Sequence, residues 1–241
     1  SNTMYIEPLE DLPNSGNPTG WTARVYDLTQ DDGKGDPDTG LNWAAGQHGV
    51  GYGDADDNTE IPDDDDTYGI YTRTEFTIDY ADAVVGMQVA VDFDDAYIMY
   101  INGTEVNRSE TAAAVVDARW DTLGAYVGNS SENGTLGAPI SIDAHIPLLV
   151  DGLNVLAIHV FNNTAVSSDI TMLAQLTVDI DGGGAGPPSG GSGGTATYLG
   201  THTESAVQID GALLVQDGVA LGPGVVNYTG GLIVMSPLNF N

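Results

Sequence analysis

The chain has 241 residues, with 35 Asp or Glu against five Lys or Arg, and its formal net charge is −30. A chain this acidic offers no basic patch for nucleic acid or for an anionic membrane surface. It has no cysteine, which excludes disulfides and thiolate chemistry, and its 41% of hydrophobic residues can build a folded core.

The pattern of residues 1–181 predicts one β-rich domain. Short stretches in which apolar and polar residues alternate are separated there by turns of Gly, Asp and Asn. The pair Asn102-Gly103 predicts a tight hairpin turn, since both positions tolerate positive φ. One stretch, 110–119, indicates a helix, on the strength of its alanine run. The predicted strands, in chain order, are 73–78, 87–93, 96–101, 139–146, 154–161 and 170–180.

Many strands with short turns are typical of a β-sandwich, so we predict an all-β fold. Residues 182–194 are almost entirely Gly, Pro and Ser and predict a linker. Residues 195–241 predict a small β segment, either a meander or a short solenoid, which is too short to fold alone. It either packs on the first domain or assembles with other copies, and we favour assembly. The residues expected to form its buried face are Val207, Ile209, Leu213, Val215, Leu221, Ile233 and Val234.

The composition is rich in aspartate and poor in lysine. Aspartate supplies 27 of the acidic residues, and Lys34 is the sole lysine. This pattern resembles proteins of extreme halophiles, especially haloarchaea and their viruses, in which high salt screens the repulsion between like charges. The alternative is a calcium-rich or simply acidic secreted protein.

Several blocks of the first domain resemble an extracellular module with a galactose-binding-like jelly-roll fold, over residues 20–180. The family usually has Gly after the Asp-Asp pair, where this chain has Ala96. The resemblance implies a jelly-roll β-sandwich with a carbohydrate-binding or adhesive tendency. The blocks that carry it are Trp43 with Gly46, 51–59 (GYGDADDNT), 71–76 (YTRTEF), 91–108 (VDFDDAYIMYINGTEVNR), 152–160 (GLNVLAIHV) and 167–170 (SSDI).

One loop has the composition of a calcium site. Oxygen-bearing side chains are dense between residues 54 and 60, and Ca²⁺ takes six to eight oxygen ligands in flexible geometry. The resemblance also implies a structural calcium ion here, while a solvated acidic loop is the alternative. The candidate ligands are Asp54, Asp56, Asp57, Thr59 and Glu60.

A second set of residues has the chemistry of glycan recognition. Trp43 and Trp120 can each supply a stacking platform, although a tryptophan in a sandwich more often lies in the core. Asp94 and Asp95 are expected to shape a loop at the rim. Arg73 is expected to pair with Asp95 or with Asp169, a structural role that we prefer to ligand binding.

Catalytic motifs are missing from the sequence. It contains no Gly-x-Ser-x-Gly, no phosphate loop and no helically spaced His pair. We therefore predict a non-enzymatic structural or adhesion protein of a halophilic virion, such as a tail fibre, turret or decoration protein. The alternative is a secreted haloarchaeal cell-surface adhesin or filament subunit. An accessory carbohydrate-binding module of an enzyme is a third, less favoured class. Expected partners are copies of the chain, other virion or surface proteins and cell-surface glycan, at an extracellular or virion-surface location.

Overall fold

The computed structural model describes residues 3–8, 12, 20–26, 28, 43–53, 57–62, 67–125 and 134–180, and beyond them the backbone of five strands. Short 3₁₀ helices lie at Ala81–Ala83, Glu110–Ala112 and Asp143–Leu148. The strands are β1 (Thr3–Ile6), β2 (Ala44–Gly46), β3 (Val50–Tyr52), β4 (Thr59–Glu60), β5 (Gly69–Ile78), β6 (Val84–Asp94), β7 (Ala96–Ile101), β8 (Thr104–Arg108), β9 (Ile140–Ser141), β10 (Gly152–Phe161), β11 (Ile170–Ile180), β12 (Gly194–Leu199), β13 (Val207–Asp210), β14 (Leu213–Val215), β15 (Val226–Thr229) and β16 (Leu232–Val234).

Two sheets form the domain, which confirms the predicted all-β sandwich. Sheet I has the order β2-β1-β5-β10-β7-β8, with antiparallel neighbours throughout. Sheet II is centred on β11, which pairs along its length with β6 and, on its other edge, with β3 and β12. Strand β9 continues the sheet beyond β6, and β4 runs parallel to β3.

Sheet I is buried on both faces, and β10 shows this most clearly. Leu156, Ile158 and Val160 point into the core between the sheets. Val155 and Phe161, on the opposite face of the same strand, belong to a second apolar cluster outside the sandwich. This two-sided burial explains why β10 is a nearly continuous apolar run rather than an alternating one.

Two predicted elements differ in the structure. The helix expected over 110–119 is only the 3₁₀ turn Glu110–Ala112, and Asp117 within the expected range adopts a left-handed φ of 55°, which an α-helix does not allow. The strand expected over 139–146 is reduced to β9 and followed by the helix Asp143–Leu148, where Asp143 accepts the Met87 amide and ends the pairing with β6. Of the helices in the described ranges, none is long and apolar enough to cross a membrane.

The C-terminal strands continue sheet II and then form a coil. Strand β12 pairs antiparallel with β11, and β13 joins β12. Strands β13 and β15 are parallel, as are β14 and β16, and both pairs match residues 19 apart, Val207 with Val226 and Leu213 with Leu232. The sequence carries the same period, since 207–215 (VQIDGALLV) matches 226–234 (VNYTGGLIV). We call these two stretches the C-terminal repeat.

Candidate functional site

The structure divides the five predicted ligand residues between two places. Trp43 and Arg73 lie in the aromatic cluster on the outer face of sheet I. Asp94 and Asp95 lie where β6 turns into β7, and Trp120 lies in the segment that follows the second 3₁₀ helix. The rim and the aromatic cluster are therefore separate candidate sites.

At the rim, Asp95 is fixed by a residue that the sequence analysis did not single out. The backbone amide of Asn163 donates to Asp95 Oδ2 at 2.8 Å, and its side-chain amide donates to Oδ1 at 3.0 Å. The hydroxyl of Thr111 donates to the Asp95 carbonyl oxygen at 2.8 Å. These bonds hold the carboxylate in one orientation beside the loop after β10.

Trp120 belongs to neither of the two apolar clusters. Its half-buried indole meets Tyr68 edge to face, with ring centroids 5.2 Å apart. Asn162 links the two parts, because its amide donates to the Tyr68 carbonyl and its own carbonyl accepts from Gly124. We call Tyr68, Asp95, Trp120 and Asn163 the rim cluster. It combines a partly accessible aromatic pair with an oriented carboxylate and amide.

Arg73 has a structural role, but its partners are not the predicted carboxylates. One guanidinium nitrogen, Nη1, donates to the backbone carbonyls of Trp21 and Ala23, and the group lies 5.7 Å from the ring centroid of Tyr26. The expected ion pair with Asp95 or Asp169 is therefore wrong. Burial lowers the pKa of Arg73 to about 10, partly offset by the charges of Glu75 and Tyr26.

Trp43 packs within the same aromatic cluster. Its ring centroid lies 6.5 Å from that of Trp21 and 5.9 Å from that of Tyr26. Trp43 is partly buried against this cluster, a packing role that the sequence analysis gave as the commoner one for a tryptophan in a sandwich.

The predicted calcium loop is described in part. The hydroxyl of Thr171 lies 3.4 and 3.5 Å from the two carboxylate oxygens of Asp57. A β-carbon at Gly51 would overlap the Ile170 carbonyl and lie 2.6 Å from Asp57 Oδ2, so glycine makes room for this carboxylate. Asp54 and Asp56 lie outside the described residues.

The other two predicted ligands of that loop, Thr59 and Glu60, differ in whether their oxygen atoms are free to bind a cation. Thr59 Oγ1 already accepts from the Gln47 amide at 2.8 Å and donates to the Gln47 carbonyl at 2.9 Å. Glu60 is exposed. Within the described ranges, no three His, Asp or Glu side chains are grouped so that they could hold a metal ion. The Thr59 hydroxyl already has two hydrogen-bond partners, so it fits a cation site poorly, and calcium at this loop stays a prediction.

The predicted assembly residues lie on the C-terminal strands. Val207 and Ile209 belong to β13, Leu213 and Val215 to β14, and Ile233 and Val234 to β16. Leu221 lies outside the described residues. The 19-residue register was present in the sequence and could have been found by aligning the segment with itself.

No family model and no curated protein matches this chain. Among solved structures, the PA14 domain of the MpAFP antifreeze protein is 14% identical, with 77% of this chain and 84% of that one covered and a TM-score of 0.35. A PA14 sugar-binding domain from an RTX adhesin is 12% identical, with 83% and 96% covered and a TM-score of 0.30.

A Streptomyces avermitilis alpha-L-rhamnosidase complexed with L-rhamnose is 18% identical, with a TM-score of 0.29. That match covers 49% of this chain, which spans only 10% of the rhamnosidase. Identity and TM-score are low for all three structures, so the function proposed next is argued from this chain's own residues.

Proposed function

We propose that the chain is a non-enzymatic, glycan-binding adhesion module and that the rim cluster is its binding site. The observation that carries this proposal is the half-buried Trp120 against Tyr68, connected through the backbone of Asn162 to the neighbouring Asn163, which orients the Asp95 carboxylate. A ring pair of this kind offers an apolar face to a sugar ring, and the carboxylate and amide offer hydrogen bonds to its hydroxyl groups.

The surrounding architecture is compatible with a role in presentation. The rim cluster lies on loops between strands of a rigid sandwich, which is where binding residues are commonly carried. The linker of residues 182–194 separates these loops from the C-terminal repeat along the chain. We propose that the repeat assembles with other copies of the chain and that the sandwich presents the glycan site.

The biological setting that we propose is the surface of a halophilic virion, as part of a tail fibre, turret or decoration. The support is the net charge of −30 together with a binding module joined to an assembly segment. A secreted haloarchaeal surface adhesin or filament subunit has the same requirements. Neighbouring genes distinguish the two, because capsid and tail genes support the first and surface-protein genes the second.

The glycan proposal is tested on a glycan array in molar KCl. Replacement of Trp120 by Ala is expected to weaken binding about tenfold, the loss expected from removing an aromatic contact. Tyr80→Ala is the matched control, because Tyr80 is 47% exposed and lies outside the rim cluster. Equal binding by the wild type and Trp120→Ala, or no glycan bound at all, would contradict the proposal.

A structural calcium ion at the 54–60 loop is a separate proposal, supported by the position of Asp57 over Gly51. Calorimetry in high KCl is expected to show saturable Ca²⁺ uptake by the wild type that Asp57→Asn and Asp56→Ala both lose. The matched control is Asp82→Asn, an exposed carboxylate in the 3₁₀ helix Ala81–Ala83. If all four proteins take up Ca²⁺ alike, the ions are diffuse counterions and the site is wrong.

A further inference from the structure

A cavity of about 400 Å³ lies on the outer face of sheet I, away from the residues of the rim cluster. Three neighbouring strands supply a row of its lining, since His159 of β10 pairs with Tyr71 of β5 on one side and Ile98 of β7 on the other. This volume is within the range of small-molecule pockets.

Aromatic rings form much of the cavity wall. Trp21 stacks on Tyr71 with ring centroids 4.2 Å apart and planes 2° from parallel. Tyr100 meets Trp21 edge to face at 6.0 Å. All three side chains are more than nine-tenths buried, so the packing around them holds the rings in place. Since the stacked pair leaves no room between its own rings, a cation can meet them only from the cavity side, where an aromatic wall attracts positive charge.

Arg108, the arginine of the cavity lining, forms an ion pair with Glu105. Arg108 donates through Nε and Nη2 to the two carboxylate oxygens of Glu105, at 2.6 and 2.7 Å. Its Nη1 donates to the carbonyls of Ala112 and Val115. Four of its five N–H groups are therefore used, and the ion pair adds no net charge to the cavity.

Two further polar residues line the cavity. Asp117 is exposed and sits in the left-handed region at φ 55°, next to the 82% exposed Val116. His159 is 1% exposed, and its Nε2 has no hydrogen-bond partner within the described ranges. Burial lowers the pKa of His159 to about 3, so the imidazole is neutral at ordinary pH. The balance of charge in the lining is then the single negative charge of Asp117.

We propose that this cavity binds an organic cation, an ammonium group carried on a small apolar body. The cation lies in the cavity against the aromatic wall of Trp21, Tyr71 and Tyr100, and the carboxylate of Asp117 in the same lining supplies the opposite charge. The aliphatic lining at Ile98 and Val115 receives the apolar body. An anion is disfavoured because Arg108 is neutralised by Glu105. A bare metal ion is disfavoured because no three metal-binding side chains converge in the part of the chain that the structure describes.

Choline is the probe that tests the inference, and 3,3-dimethylbutan-1-ol is its matched neutral analogue, with a carbon in place of the charged nitrogen. Binding to the full chain is followed by calorimetry at constant KCl concentration. Choline is expected to bind one site about tenfold more tightly than the neutral alcohol, a preference typical of a cation–π site. Glucose at the same concentration is expected not to displace it.

Variants then locate the site. Asp117→Asn removes the charge and keeps a residue that tolerates left-handed φ, so the fold is retained; we expect choline binding to weaken about fivefold. Asp82→Asn makes the same charge change at an exposed position of the 3₁₀ helix Ala81–Ala83 and is expected to leave binding unchanged. Trp120→Ala is expected to leave choline binding unchanged too, which separates this inference from the glycan proposal.

Four results would overturn the inference. No saturable choline binding would exclude a cation site, and equal affinity for the neutral alcohol would reduce the cavity to an apolar pocket. Displacement of choline by glucose would assign the cavity to a neutral sugar. An equal loss in Asp117→Asn and Asp82→Asn would show that choline responds only to the overall negative charge.

Discussion

Arg108 shows what the few cations of this chain do. With five basic residues against 35 acidic ones, cations cannot neutralise the surface. Arg108 instead ties β8 to the following loop, through Glu105 and the carbonyls of Ala112 and Val115. Arg73 likewise holds the 21–23 segment against sheet I through two carbonyls. Only a planar guanidinium offers so many fixed donors at once, which suits these positions to arginine.

We therefore expect Arg108→Lys to lower the free energy of unfolding by about 2 kcal/mol, because a lysine cannot keep the bidentate pair and both carbonyl bonds. Arg119→Lys is the matched control, since the Arg119 side chain is 62% exposed and pairs only loosely with Asp121 at 3.5 Å. The control is expected to change stability by no more than about 0.5 kcal/mol. Denaturant unfolding in molar KCl measures both, and equal losses would contradict the role given to Arg108.

Two buried histidines, His48 and His159, are expected to make the stability of the fold depend on pH. Burial lowers the pKa of His159 to about 3 and that of His48 to about 4, below the ordinary value of 6.5. As the pH falls below about 6.5, the unfolded chain binds these protons before the folded chain does, so the free energy of unfolding falls with it.

Between about pH 7 and about pH 5, each of the two histidines is expected to remove about 2 kcal/mol of stability. In His159→Leu, the loss of unfolding free energy between about pH 7 and about pH 5 is expected to be about 2 kcal/mol smaller than in the wild type. His159→Phe is expected to show the same reduced loss as His159→Leu, because neither side chain can titrate. Urea unfolding at a series of pH values gives the comparison. A wild-type profile that is no steeper than that of the two variants would show that His159 is protonated in the folded state.

Among the elements, the β7–β8 hairpin was predictable from its own residues. Asn102 and Gly103 adopt φ values of 51° and 89°, as the sequence pair predicts. The Asn102 side chain also donates to the Leu148 carbonyl and to Asn154, which connects the turn to the loop before β10. The first property is local and readable in the sequence, whereas the second depends on residues about 50 positions away.

The C-terminal repeat is joined to the sandwich through β12, which pairs with β11. Its two stretches pair parallel at a 19-residue offset, and solenoid coils need several stacked repeats to bury their apolar side chains. The two stretches of the C-terminal repeat are fewer than such a stack needs. Under the assembly proposal, coils from further copies of the chain would stack on the parallel strands of the repeat. Strand β12 connects the repeat to β11.

We expect the full chain to form a homo-oligomer in molar KCl and a 1–181 truncation to be monomeric. Leu213→Asp, placed at the paired register position of β14 and β16, is expected to weaken the oligomer without removing the segment. Light scattering measures the mass of each species. A monomeric full chain would leave the repeat as a flap on sheet II, the alternative that the β11–β12 pairing offers.

For the whole molecule, the dominant property is the charge of −30. Like charges at this density oppose the compact state in dilute buffer, and at about 1 M salt the Debye length falls to about 3 Å. We expect the melting temperature to rise continuously from about 0.1 to about 3 M KCl. A melting temperature that is flat or falling over this range would contradict the halophilic interpretation, and the same titration with an uncharged osmolyte separates charge screening from a general effect of solute.

The sequence by itself determined the class of the fold and its local details. Alternating apolar residues predicted β5 and β6, because the period of a strand is visible in consecutive positions. Apolar stretches bounded by turn residues predicted β10 and β11. Composition and spacing also marked the Asn102-Gly103 turn. The helix expected over 110–119 is wrong, since the alanine run did not reveal the left-handed φ of Asp117 or the bonds from Arg108 of the preceding strand to the Ala112 and Val115 carbonyls.

Tertiary structure alone decided which polar groups meet. Asn163 reaches Asp95 across 68 positions, Thr171 reaches Asp57 across 114, and Arg73 bonds to backbone carbonyls 50 and 52 positions away rather than to either expected carboxylate. A chain with 27 aspartates offers many chemically equivalent partners, so residue type cannot select among them. The selection is made by strand order and register, which bring distant positions together only when the sheets have formed.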